Sequence, residues 1–433
     1  MIETVKNAWK IAEIRNKLLY TLLIIFVYRI GSAVPVPFLD YLVIQNWVET
    51  AGGGLGFLNS LTGGAFGNAT LFAMGISPYI TSSIVIQLLT VAIPALEQMA
   101  KEGEEGRKKL TKITRYTTLG LALLQSVAYY LLNRNTYAVQ YTDGFPGMFS
   151  AVVIILTFTA GAMLIVWLGE SIDKRGIGNG ISILLFAGII SGGQNLIKSM
   201  WLYIQMAQAG DFQYYFLVPL MGVLFLFVIA MIVLMTNAER RIPIQYAKRV
   251  VGRKMYGGQS SFIPVKVTMS GVLPIIFASA LLSLPGMIKG FITTGENDTR
   301  TIIRILGWFD YNTILYAVLY FVLIIAFNYF YVAIQYNPVE MANNLRKNSG
   351  AIPGIRPGRP TAEFISKVIS KITLVGALFI AVVAIMPILL GSVAKMNIAL
   401  GGTSIIIVVG VALDTVRQLE SQMMMRHYKG FLE

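Results

Sequence analysis

Ten long apolar stretches recur along this sequence and limit what it can fold into. About 20 mostly apolar residues are enough for a helix to cross a bilayer. Backbone polar groups have no water to bind in lipid, so a spanning segment must satisfy them itself, and these stretches therefore predict helices. The predicted spans are 18–36, 71–93, 116–133, 150–168, 181–197, 214–236, 267–288, 313–333, 372–390 and 401–416.

The overall composition agrees with a membrane protein. Of the 433 residues, 55% are hydrophobic and only 13% are charged, whereas about a quarter of a soluble domain is charged. We therefore predict an all-α, polytopic membrane protein with ten transmembrane helices. The charged start of the sequence lacks the short apolar core and small-residue cleavage site of a signal peptide.

Basic residues predict the orientation of the spans. Of the 35 lysines and arginines, 28 lie before the first span, after the even-numbered spans or in the tail, and 6 follow the odd-numbered spans. The positive-inside rule then places both termini in the cytoplasm. The net charge of +14 belongs to this face. It fits attraction to anionic lipid and equally a docking surface for an acidic or nucleic-acid partner.

Ten spans with both ends inside can be divided into five plus five. An odd number of spans in each half inverts the second half relative to the first. In such inverted repeats the substrate path lies at the interface of the two halves. We predict an N-terminal half over 1–200 and a C-terminal half over 201–433.

Several kinds of chemistry are excluded or disfavoured. The chain has no Cys and one His, His427, so disulfides, thiolate chemistry and a histidine relay are excluded. No Asp or Glu lies at mid-depth in a predicted span, although proton- and sodium-coupled transporters usually need such carboxylates. Neither an Asp pair nor a metalloprotease motif is present. We therefore predict no catalytic residues, no metal and no cofactor.

Two basic loops between spans, 237–267 and 335–367, are long. Ile242, Ile244 and Tyr246 alternate in the first, which predicts a projecting β-hairpin. Its basic residues are Arg240, Arg241, Lys248, Arg249, Arg253 and Lys254. Four prolines in the second predict a rigid, irregular loop. Solvated linkers are the plain alternative, but connections are usually about 4–6 residues long, so binding loops are favoured.

Long stretches of the chain, in order, match one family. They include "GISPYITSSIVIQLLTVAIP", "RGIGNGISILLFAGII", "ERRIPIQYAKR", "GVLPIIFASALLSLPG", "GAIPGIRPGRPTAEFISKVISK" and "GGTSIIIVV". The sequence resembles the SecY family, the channel subunits of the bacterial protein translocase, over nearly its whole length. The resemblance is to the bacterial branch rather than to the archaeal and eukaryotic relatives.

This resemblance implies roles for particular residues. The uncharged, glycine-rich stretch at about 52–70 would be a plug that fills the outer funnel, with Phe57, Leu58, Asn59, Leu61 and Phe66. A ring of apolar side chains at mid-membrane would comprise Ile80, Ile84, Leu185, Ile189, Ile276 and Ile407. The lateral gate would include Gln87, Gln125 and Leu284. The basic hairpin and Arg356 would be where a motor or ribosome docks.

The family likewise implies a function and partners. The chain would be a non-enzymatic protein-conducting channel of a bacterial plasma membrane, driven by the SecA motor ATPase or by a translating ribosome. It would assemble with the membrane subunits SecE and SecG, pass unfolded secretory polypeptides with signal sequences, and release apolar segments into membrane lipid. A secondary transporter of a hydrophobic small molecule and a structural membrane scaffold are the alternatives.

Overall fold

The computed structural model describes residues 2–51, 56, 59–208, 211–246, 249–251, 254–256, 260–292, 301–310, 313–394 and 402–429. Helices of the first part are α1 (Ile2–Lys10), α2 (Ala12–Gly31), α3 (Tyr41–Ala51), α4 (Ser77–Ala92), α5 (Pro94–Lys101), α6 (Glu104–Asn135), α7 (Gly144–Arg175) and α8 (Gly180–Gln208). The second part comprises α9 (Gln213–Asn237), β1 (Glu239–Tyr246), β2 (Arg249–Val251), β3 (Lys254–Tyr256), β4 (Ser260–Lys266), α10 (Leu273–Ile292), α11 (Thr301–Gly307), α12 (Ile314–Gln335), α13 (Pro338–Lys347), β5 (Gly350–Ala351), α14 (Arg359–Ala394) and α15 (Gly402–Lys429).

A helix lies at the place of each predicted span, and the fold is all-α as predicted. Within the described residues, five helices are long and apolar enough to cross a membrane by themselves: α7, α8, α9, α12 and α14. A sixth is added if the bent pair α4 and α5, with 102° between them, counts as one span. The total of ten spans stays a prediction. So does the division into halves, whose boundary at residue 200 falls within α8.

The second predicted span begins later than its hydropathy indicates. Residues 71–76 form turns, and α4 starts at Ser77 with Pro78 in its first turn, a position that suits proline because its missing N–H has no helical partner there. The apolar character of 71–76 serves packing instead. Phe72 lies against Gly31 of α2, where a Cβ atom would clash with its ring.

α7 is the central helix of the first half. It contacts α2, α6 and α8, and Ile154, Phe158, Ile165 and Leu168 along it are almost fully buried. Val152, Leu156 and Trp167 on another face of α7 are exposed and apolar, so the helix packs on its neighbours with one side and leaves an apolar side free. α7 therefore fixes the position of α6 and α8, which carry the candidate site.

The first basic loop forms the predicted hairpin. β1 and β4 pair antiparallel from Glu239↔Lys266 to Gln245↔Ser260, and the strand order is β4-β1-β5. Ile242 and Ile244 point inward and are 3% exposed. They pack against Val265, Leu345, Ile352, Ile365 and Ile369. We call β1, β4, β5 and α13 together the sheet lobe.

The prediction of an irregular second loop was wrong for most of its length. α13, β5 and the start of α14 occupy most of it, and residues 336–337, 348–349 and 352–358 are irregular. Pro338 and Pro360 are the reason, because each lies at the beginning of a helix, where proline is favoured. Asn337 caps α13, and its Oδ1 accepts hydrogen bonds from the backbone N–H groups of Val339 and Glu340.

α1 and the start of α2 meet α15 on one face of the molecule. Ala8 of α1 and Ile14 of α2 pack against Leu419 and Ile177, and Lys17 Nζ of α2 donates to Gln422 Oε1 at 3.5 Å. Arg417 reaches from α15 to the carbonyl oxygen of Thr236, next to the sheet lobe. These contacts place both helices, the α7–α8 connection and the sheet lobe on the same side, as the distribution of basic residues predicts.

Candidate functional site

The six predicted ring residues come from four helices and meet in one apolar cluster. α4 contributes Ile80 and Ile84, α8 contributes Leu185 and Ile189, α10 contributes Ile276, and α15 contributes Ile407. Ile189 and Ile407 are fully buried. Two of these helices belong to each predicted half, so the cluster lies where the halves meet. Branched apolar side chains that pack together in this way leave no polar partner for water.

The described part of the predicted plug, residues 59–70, is called the plug segment below. Its first three residues are helical, and the rest form consecutive turns that end in a β-bridge between Thr70 and Pro35. Phe57 and Leu58 lie outside the described residues. Leu61 packs against the ring cluster, whereas Phe66 is buried in a separate cluster with Tyr129 and Phe158. The plug segment thus connects the ring cluster with the cluster of Tyr129 and Phe158.

Hydrogen bonds from side chains to the backbone hold the plug segment together. Asn59 Oδ1 accepts from the N–H of Gly67 at 2.8 Å, and Thr62 Oγ1 accepts from the N–H of Phe66 at 3.1 Å. The hydroxyl of Tyr129, on α6, donates to the carbonyl oxygen of Phe66 at 2.6 Å. Such bonds replace the regular ladder that a helix or sheet would provide, so the segment is compact without being part of an extended element.

Glycines let the plug segment approach α8 closely. A Cβ atom on Gly188 would lie 2.5 Å from the carbonyl oxygen of Leu61, and one on Gly63 would lie 2.6 Å from the carbonyl oxygen of Gly188. Gly63 also has φ +65°, which glycine adopts without strain. Gly188 and Gly192, four apart, resemble the small-xxx-small pattern that lets membrane helices pack tightly. That spacing could have pointed to this contact from the sequence.

A small cavity of about 70 Å³ adjoins the ring and the plug segment. α6 and α10 face each other across it, with Gln125 and Tyr129 on one side and Ile276, Ser279 and Ser283 on the other. Of the three predicted gate residues, only Gln125 lines the cavity. Leu284 is 43% exposed, and Gln87 lies further along α4 with Nε2 at 3.5 Å from Ser83 Oγ.

The predicted docking residues are distributed around the sheet lobe. Arg240 is exposed, and Arg241 pairs with Glu239 at 2.7 Å and lies over the ring of Phe262 at 4.8 Å. Arg356 is exposed in the turn that follows β5, next to Ile355, which packs on the core of the same lobe. Lys248 and Arg253 lie outside the described residues, and Arg249 and Lys254 lie in β2 and β3, whose side chains are not described.

Charged groups at the C-terminal end of α7 connect it to neighbouring elements. Arg115 forms a bidentate ion pair with Glu170, and Asp173 Oδ1 accepts from the N–H of Gly180 at 2.7 Å, at the start of α8. Burial raises the pKa of Asp173, and the neighbouring Glu170 adds to the rise while the Gly180 hydrogen bond opposes it. Nowhere in the described residues do three or more His, Asp or Glu side chains gather as a metal site would require.

Comparison with protein families and curated proteins gives one consistent result. The SecY family matches residues 70–416. The chain is 43% identical over 445 residues to the protein translocase subunit SecY of Streptomyces coelicolor, with the whole of both chains covered. It is similarly 42% identical to the SecY of Halalkalibacterium halodurans, again over both full lengths.

Solved structures resemble this chain in fold. One, of a SecY protein whose plug domain stabilises the closed state of the translocation channel and maintains a membrane seal, superposes with a TM-score of 0.64. It is 19% identical, with 94% of this chain and 92% of that chain covered.

Proposed function

The chain belongs to the SecY family, and we infer from this premise that it is a protein-conducting channel of a membrane. It passes unfolded polypeptides through its centre and releases apolar segments sideways into lipid. The observation that carries this function is the apolar cluster at the centre of the molecule. Six side chains from both halves converge there, and Leu61 of the plug segment packs against them.

A collar of branched apolar side chains suits a pore with two opposed tasks. When the channel is idle, the collar excludes water from the pore and thereby blocks ions. When a polypeptide enters, the side chains can move apart because no directional bond joins them. We assign Ile80, Ile84, Leu185, Ile189, Ile276 and Ile407 to this collar and the plug segment to its outer seal. Gln125 borders the lateral exit between α6 and α10.

The driving force comes from outside the channel. We assign no catalytic residue to this chain, and no cofactor. The sheet lobe presents Arg240, Arg241 and Arg356 on its surface, which suits an acidic or polyanionic partner. SecA and the translating ribosome are the partners that we propose for it. SecE and SecG are the membrane subunits that we propose to complete the assembly.

The protein is a multi-pass membrane protein, and we place it in a bacterial plasma membrane with both termini in the cytoplasm. Support comes from the distribution of basic residues and from the geometry. The stretches before the first span and after the last are basic, and α1 and α15 meet on the face that carries the sheet lobe. The plug segment then faces outward.

Neighbouring isoleucines on α8 provide the test. Ile189 is fully buried in the ring cluster, whereas Ile190 is 51% exposed. An amide at Ile189 lets water wet the collar and destabilises the closed state by on the order of 1–3 kcal/mol. We expect Ile189→Asn to raise the resting ion conductance of the reconstituted complex and the export of a reporter with a defective signal sequence.

Ile190→Asn is the matched control, because the same substitution there lies away from the collar. We expect it to leave both the resting conductance and the export of the signal-defective reporter unchanged. Equal effects of the two substitutions, or no gain of conductance in Ile189→Asn at normal expression, would remove α8 from the collar. Failure of the wild-type complex to export a normal secretory substrate would refute the channel function itself.

A further inference from the structure

One buried tyrosine joins the plug segment to a helix of the lateral exit. Tyr129 lies on α6, and its hydroxyl donates to the carbonyl oxygen of Phe66 at 2.6 Å. The two rings also touch, with centroids 4.8 Å apart, and both residues are buried. Tyr129 packs edge-on against Phe158 of α7 on its other side, at 5.1 Å. The hydroxyl is therefore held in one place.

The other side-chain hydrogen bonds of the plug segment are local. Asn59 Oδ1 accepts from the N–H of Gly67 and Thr62 Oγ1 accepts from the N–H of Phe66, so these bonds can move with the segment as a unit. At the end of the segment, the carbonyl oxygen of Ala69 accepts from the backbone N–H of Val36 and ties the segment to the stretch after α2. The bond from Tyr129 is different, because it connects the segment to a long helix that faces α10 across the cavity.

That position makes the bond sensitive to the separation of α6 from α10. Tyr129 and Gln125 lie on the cavity side of α6, so an outward movement of α6 carries the hydroxyl away from Phe66. Hydrogen bonds weaken steeply once their distance and angle depart from the optimum. Opening of the lateral exit and release of the plug segment would then occur together, and each would favour the other.

We propose that the Tyr129 hydroxyl is a positioning group that couples the lateral exit to the plug segment and thereby sets how strictly the idle channel demands a signal sequence. The proposal rests on the channel function given above and assigns to it a regulatory residue. Tyr129 belongs to the cluster of Phe66 and Phe158 rather than to that of the ring, so its hydroxyl acts through Phe66.

Tyr129→Phe tests the coupling with the smallest change. It keeps the ring and its contacts with Phe66 and Phe158. The carbonyl oxygen of Phe66 keeps its hydrogen bond from the N–H of Ala69 at 3.2 Å, so no buried acceptor is left without a partner. Tyr130→Phe is the control, since Tyr130 is the next residue and is buried to a similar degree, 7% against 4% exposed.

Both variants are reconstituted as the full complex in vesicles. We expect Tyr129→Phe to raise resting ion conductance and export of a signal-defective reporter by roughly fivefold, the population shift that loss of one hydrogen bond of ordinary net strength produces. Export of a normal substrate should be unchanged. A defect confined to folding would instead lower both kinds of export together.

Three results would overturn the proposal. First, Tyr129→Phe could match the wild type in resting conductance and in export of the signal-defective reporter. If the wild type exports the normal substrate in the same experiment, this result rejects the coupling but not the channel function. Tyr130→Phe could raise both readouts as much, which rejects the assignment to this hydroxyl. Absence of export by the wild type would reject the channel function and the coupling with it.

Discussion

The plug segment and the sheet lobe are both connections between helices of one chain, yet they are stabilised in opposite ways. The sheet lobe has a fixed strand register of seven residue pairs between β1 and β4 and its own buried core. The plug segment has turns, a few bonds from side chains to the backbone, and glycines in contact with α8. A paired sheet with its own buried core unfolds cooperatively. A compact segment that is held together by local bonds can instead detach from its neighbours and keep its shape.

This difference matches the roles that we propose for the two regions, docking for the sheet lobe and sealing for the plug segment. A docking surface must keep its shape while a partner pushes against it, and a register fixed by inward-facing residues resists slippage. A seal must leave and return, so its contacts must be numerous but individually weak. The sheet lobe is therefore a cooperative unit, whereas the plug segment can separate from the helices around it.

The largest effect is expected in the core of the sheet lobe. Ile244→Asp places a carboxylate at a site that is 3% exposed, and burial of an unpaired charge typically costs more than about 3 kcal/mol. We expect β1 to lose protection from hydrogen exchange and the lobe to become sensitive to protease, while the ring cluster stays protected.

Gln245→Asp is the control on the outward face of the same strand. It should leave protection within the range of the wild type. If Ile244→Asp were equally silent, the lobe would not be a cooperative unit, and the contrast with the plug segment would disappear.

An intermediate effect is expected at the seat of the plug segment. Gly188→Ala forces a methyl group toward the carbonyl oxygen of Leu61, and overpacking of this kind costs about 1–3 kcal/mol. Because the segment is separable, it should shift outward rather than unfold the helices. We expect higher resting conductance in planar bilayers with unchanged thermal stability of the complex.

Gly193→Ala, on the same helix, provides the comparison because a Cβ atom there meets nothing within 4 Å. Its conductance should match the wild type. A large loss of thermal stability in Gly188→Ala alone would mean that the plug segment is part of the core, contrary to the distinction drawn here.

The smallest effect concerns the surface of the sheet lobe. Arg356 is exposed, so Arg356→Glu should leave the lobe folded and change only association, by about 1 kcal/mol or a roughly fivefold weaker binding of the motor, and more at low salt. Lys198→Glu reverses an exposed charge on α8, outside the sheet lobe, and serves as control. Equal ATP-driven transport by the two variants would separate Arg356 from docking.

Sequence patterns predicted the sheet lobe better than the plug segment. The alternation of Ile242, Ile244 and Tyr246 was enough to predict a hairpin. A strand that is buried on one face only has apolar residues at every second position. The prolines of the second loop predict irregular structure, but Pro338 and Pro360 lie in the first turn of helices, and a proline count cannot distinguish these two positions. The plug segment has no period, and only resemblance to a family suggested its role.

The contacts between distant elements could not be predicted from the residues themselves. Nothing in the sequence around Tyr129 marks its hydroxyl as the donor to Phe66, 63 positions away. The gate residues illustrate the same limit. The family resemblance implies a gate formed by the helices that carry Gln87, Gln125 and Leu284. It does not indicate which face of each helix lines the cavity, and of these three residues only Gln125 does.

The contact of the N-terminal helices with α15 has a consequence for biogenesis. Lys17 and Gln422 are 405 positions apart, so the ribosome makes the two sides of this contact at widely separated times. Until α15 has been synthesised, Ala8 of α1 and Ile14 of α2 lack their partner Leu419, and interactions of such long range form late in folding. This small cluster is therefore among the last contacts that the chain can complete.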